Sequence, residues 1–170
     1  MGAYLNSKKP HMIYKDVAHS TYFVDKTAML EELIPLVEAD EQIAVQSSEG
    51  VGKDNKYICI TRPRRFGKTV MASMIASFFG KGRDSRKIFE KLKIGSNERF
   101  ESHLNQHNVI YIAFNEIPDG CKTYAQYIAR IKQRILNDLQ KAFPEADIDS
   151  DTAVWDAFNN IYEWEEDVQF

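Results

Sequence analysis

The stretch YICITRPRRFGKT, residues 57–69, constrains this 170-residue chain more than any other. An apolar run of β-type composition, Tyr57 to Ile60, enters a basic turn that closes on Gly67-Lys68-Thr69. VMASMIASFF follows, with Val70, Met71, Met74, Ile75, Phe78 and Phe79 at the spacing of a helix with one buried face. Strand, turn and helix in that order are the parts of a phosphate-binding loop. Backbone amides wrap the phosphates, a lysine reaches the β and γ oxygens, and a Ser or Thr hydroxyl holds Mg²⁺. The helix N-terminus adds free N–H groups and the positive end of its dipole. On this reading Arg65, Phe66, Gly67, Lys68, Thr69 and Val70 bind the cofactor and Thr69 is the Mg²⁺ ligand, with amides drawn mainly from Phe66 to Val70. Arg64 and Arg65 contact phosphates, contact a neighbouring subunit, or simply solvate the turn. The plainer alternative is a basic surface turn ahead of an ordinary core helix.

One position breaks the pattern. The motif GxxxxGK[ST] asks for a glycine five residues before Gly67, and Arg62 stands there, followed by Pro63, which has no N–H to donate. A competing glycine-rich segment, QSSEGVGKDN at Gln46 to Asn55, is the weaker candidate. Asp54 occupies the hydroxyl position and would repel phosphate, Ser47 takes the first-glycine position, and no helix-forming run follows. It reads as a hairpin or insertion.

TRPRRFGKT resembles the phosphate-binding loop of the predicted AAA-ATPase-like family, a bacterial and archaeal group related to the STAND-type ATPases. TYFVDKTAML (residues 21–30), IFEKLKI (88–94) and HLNQHNVIYIAFNEI (103–117) match it in the same order, so the resemblance spans about residues 12–143. Arg62 in place of glycine is the family's usual form. The resemblance implies ATP and Mg²⁺ as cofactors. It also implies a role near the adenine for Tyr22, Phe23, Asp25 and Lys26, against the alternative that the two aromatics are core and Asp25 is a helix cap. Members run to several hundred residues, often with a nuclease-like PD-(D/E)XK domain. This chain is therefore expected to be the N-terminal part of such a protein, with a flexible tail over 1–11 and the phosphate-binding-loop domain over 12–170.

Strands at Tyr57 and Val109 alternating with helices at Thr69 and Thr123 predict an α/β three-layer domain with a mostly parallel sheet, incomplete at its C-terminus. VIYIAF, Val109 to Phe114, reads as a parallel strand covered on both faces. Its terminal Asn115-Glu116 is a poor Walker B, because the first position lacks charge, and in the family the acidic strand comes later. Helices are expected from Thr27 to Pro35, where proline ends or kinks the first, from Thr123 to Phe143, and around Val154 to Tyr162. Gly80 and Gly82 stop the helix after the turn. His103 and His107 lie four apart, but Leu104 stands where HEXXH needs Glu, so a solvated helix end is expected.

A net charge of -3 gives no global case for nucleic-acid binding. Cys59 and Cys121 form no CxxC pair, and Cys59 reads as a small core residue in a reducing compartment. With neither a signal-like apolar segment nor 18 consecutive apolar residues, the expectation is a cytoplasmic protein with no membrane contact. The partners implied are a nucleotide, then a second copy or an adjoining C-terminal domain. Hydrolysis requires a carboxylate to orient water, and only Glu116 stands at a strand end, so the reading is ATP binding with hydrolysis needing elements absent from this chain. Two rival classes are a nucleic-acid-binding or nuclease-associated module with Arg62, Arg64, Arg65, Lys81 and Arg83 as a basic patch, and a non-catalytic truncated remnant with an open sheet edge.

Overall fold

A computed structural model describes residues 2–43, 57–61, 63–114, 120–165, 168 and 170. Among them lie seven α-helices: α1 (Lys8–Ala18), α2 (Ala28–Ile43), α3 (Lys68–Phe79), α4 (Arg86–Phe89), α5 (Phe100–His103), α6 (Tyr124–Ala142) and α7 (Val154–Trp164), with a 3₁₀ turn at Lys93–Ser96 between α4 and α5.

The three-layer α/β fold with a parallel sheet is overturned. The described residues are 54% helical and 3% strand, with no sheet among them. A strand exists only through its neighbours, and among the described residues neither predicted strand pairs into a sheet. Tyr57 and Ile58 are exposed, as is Cys59, which is therefore no core residue. VIYIAF is half-buried along most of its length rather than covered on both faces. Its one bridge is antiparallel, Ile110 with Leu5, flanked by Asn6 N donating to Val109 O (2.9 Å) and Tyr111 N donating to Tyr4 O (3.1 Å).

Helical periodicity fares better. In α3, Met71, Met74, Phe78 and Phe79 are buried while Val70 and Ile75 pack partly against the same core. That core also takes Tyr14 from α1, Leu30 and Ile34 from α2, and Phe89 from α4, whose ring stacks on Tyr14 with centroids 5.1 Å apart. Proline does not end α2, which runs through Pro35. Pro35 sits on the exposed side, and burial of Leu30, Leu33 and Ile34 before it and part of Val37 beyond it holds the helix across the missing N–H.

A second core forms between α6 and α7. Tyr127, Ile131, Ile135 and Leu139 recur at helical spacing and meet Ala157 and Ile161. Thr123 and Gln126 close α6 with a reciprocal capping box.

Residues 2–18 join the two cores. Asp138 of α6, itself buried, accepts the amides of Ala3 (2.9 Å), Tyr4 (2.7 Å) and Leu5 (3.2 Å). Leu5 enters the second core, and from Lys8 the chain is already α1, packed on α3. The anchoring here is done by main-chain amides. No helix among the described residues is long and apolar enough to cross a membrane.

Candidate functional site

The turn before α3 is built by two left-handed residues, Arg65 at φ 67° and Gly67 at φ 77°. The left-handed region costs a side-chain-bearing residue about 1 kcal/mol or more, and glycine nothing. Gly67 is the N-cap and offers no side chain to the first turn of α3. The amides of Thr69 and Val70 consequently find no acceptor among the described residues. Lys68 folds back over the turn, its Nζ donating to Pro63 O at 3.2 Å, and Phe66 N donates to the same carbonyl at 3.4 Å. Arg64, Arg65, Phe66, Lys68 and Thr69 are exposed, while Val70 is half-buried against the core. The predicted set is thus gathered at one helix end. Arg62, the segment Gln46 to Asn55 and Glu116 lie outside the described residues.

The opposite end of α3 is closed. Its last four carbonyls all have donors: Gly80 N to Ala76 O (3.1 Å), Asn105 Nδ2 to Ser77 O (3.0 Å), Asn105 N to Phe78 O (2.7 Å) and His107 N to Phe79 O (2.9 Å). Gly80 does terminate the helix, in extended backbone. Glycine is needed for proximity, since a Cβ there would stand 2.5 Å from Ala76 O. Asn105, held at φ 57°, is a residue the sequence did not single out.

The segment ahead of α2 reaches the same turn. Asp25 Oδ1 accepts from Thr27 N (2.8 Å) and Thr27 Oγ1 (2.7 Å), and Oδ2 accepts from Lys93 N (2.8 Å). Thr27 Oγ1 in turn accepts from Ile94 N at 3.2 Å. Partial burial pushes the Asp25 carboxyl upward, but the amides of Lys93 and Thr27, the Thr27 hydroxyl and the Lys93 charge outweigh it and hold it below its ordinary value. Asp25 and Thr27 therefore lock two loops together. Phe23 is a core aromatic, edge-on to Tyr14 at 6.3 Å, whereas Tyr22 is 93% exposed. Between the two locked residues, Lys26 sends its ammonium to within 3.9 Å of where a Cβ on Gly67 would sit.

His103 is not at a solvated helix end. It is buried, with Nε2 3.0 Å from Glu38 Oε1 and Nδ1 2.9 Å from His107 Nε2, and Phe79 packs edge-on to both rings. A neighbouring carboxylate and aromatic cover are what bury it. Among the described residues no group of three or more His, Cys, Asp or Glu is placed to hold a metal.

A helix N-terminus with open amides carries the positive end of the helix dipole, and such an end favours a negative charge. The family model for predicted AAA-ATPases matches residues 48–167, well over half of the chain, and the chain belongs to that family. No curated protein and no solved structure matches it.

Proposed function

We propose that this chain binds ATP with Mg²⁺ at the turn formed by Pro63 to Val70. The observation that carries the reading is the first turn of α3, presented by left-handed Gly67 with the Thr69 and Val70 amides open. Membership of a predicted ATPase family supports a nucleotide as the ligand of that helix end. Lys68, whose Nζ donates to Pro63 O, swings outward to neutralise the β and γ oxygens. The amides of Phe66 to Val70 take the equatorial oxygens, and Arg65 screens the approach from its exposed position.

Thr69, second in the helix, is exposed and makes no side-chain hydrogen bond among the described residues, which suits a hydroxyl that supplies one oxygen to Mg²⁺. Thr69 would supply one oxygen to a Mg²⁺ whose other ligands would come from phosphate and water. When bound, the ion neutralises phosphate charge.

Titration with a fluorescent ATP analogue tests the reading. Lys68→Ala is expected to weaken binding tenfold or more, since removing one partner of a charge-assisted contact costs about 1.5–3 kcal/mol. Unchanged affinity overturns it, and binding of DNA that falls steeply with salt and ignores ATP would favour the nucleic-acid alternative.

A further inference from the structure

We infer that Lys26 is a second polyphosphate-binding cation of this site, reaching it from the α2 side of the turn. The inference rests on the nucleotide reading above and deepens it, because proximity to Gly67 places Lys26 at the phosphates rather than at the base.

Three observations converge. Asp25 and Thr27, its neighbours on either side, are fixed by hydrogen bonds to Lys93 and Ile94, so the backbone at 26 is held from both sides. The Lys26 ammonium is exposed and makes no hydrogen bond or ion pair among the described residues. It nonetheless stands beside Gly67, 3.9 Å from the Cβ position there, at the positive end of α3 and near a second lysine. The positive end of a helix and an unpaired ammonium beside it both favour an anion. One seated on the Thr69 and Val70 amides supplies Lys26 with a counter-charge and lies beside Lys68. A triphosphate, with charge spread over adjacent groups, has enough oxygens to engage both, and this ligand class is common to a nucleoside triphosphate and to free inorganic triphosphate.

The test measures a fluorescent ATP analogue directly, with inorganic triphosphate and AMP as competitors, on the full chain. Lys26→Gln is expected to weaken ATP analogue and inorganic triphosphate alike by fivefold or more, while AMP changes less than twofold. Lys26→Arg should stay within about threefold of the parent, and Lys26→Glu should fall below the Gln variant. Because Arg keeps the parent charge and Glu reverses it, that pair decides the matter even if the Gln variant folds poorly. Lys68→Ala runs in parallel. If it weakens binding and the Lys26 variants do not, this inference falls while the nucleotide reading stands. If neither weakens binding, both fall. Equal losses for AMP and triphosphate would also overturn it, since they would place Lys26 away from the terminal phosphates.

Discussion

Asp25→Asn separates a charge-assisted loop lock from mere packing. The carboxylate accepts from two backbone amides and one hydroxyl at 2.7–2.8 Å. An amide of the same shape keeps one oxygen. Whichever way it is turned, its NH₂ then faces either the Lys93 amide or the Thr27 amide and hydroxyl, a donor against donors. Losing a hydrogen bond to a charged group costs about 1.5–3 kcal/mol. Asp25 is only partly buried, so the expected loss at pH 7 lies at the lower end, about 1–2 kcal/mol, measured by urea denaturation followed by far-UV circular dichroism with an unchanged m-value. The pH dependence carries the sign. A carboxyl held below its ordinary value in the folded state, as Asp25 is, stabilises fully above the unfolded value near 3.8 and loses that contribution as pH falls through the lower folded value. The gap between parent and variant should thus be constant from pH 7 to pH 5 and narrow below about pH 4. A variant as stable as the parent at pH 7, or a gap that widens in acid, would refute the lock.

Two further outcomes follow from buried polar groups. Asp138→Asn puts a donor against the amides of residues 3–5 and should cost about 2–4 kcal/mol, with faster hydrogen exchange at Tyr4 and Leu5; unchanged exchange there would count against it. Tyr14 buries a hydroxyl that has no partner among the described residues, so Tyr14→Phe should leave stability unchanged or raise it by up to about 1 kcal/mol. A loss larger than that in urea denaturation would reveal an acceptor.

The helices were legible because period alone specifies which face is buried. Val70 to Phe79, Tyr124 to Ala142 and Val154 to Trp164 each carry their own amphipathic record, and Thr123 with Gln126 even announces its cap. The expected sheet did not form among the described residues, because an apolar run such as YICI or VIYIAF records hydrophobicity without naming a partner. VIYIAF found Leu5 instead of a parallel neighbour. At the candidate site, the order of Gly67, Lys68 and Thr69 was readable as a local motif. The approach of Lys26 is a tertiary fact that no spacing encodes. Asp138 left a signal that passed unused, since it falls seven residues after Ile131 and three after Ile135 on the apolar face of α6. An acid in that register demands donors. His103 left none, because the carboxylate that meets it comes from α2.

The saturated carbonyl end of α3 has a mechanical consequence. A 12-residue helix is about 18 Å long, and one whose far end is held by Asn105 and His107 cannot absorb a push at its near end by fraying. A displacement of the Gly67 turn along the axis would meet residues 105–107, which hold the far end. From there the chain leads to the Asn6–Val109 and Leu5–Ile110 pairings and, through Asp138, to α6. The helix thus ties the Gly67 turn, through a continuous run of hydrogen bonds, to the seam where the two cores meet.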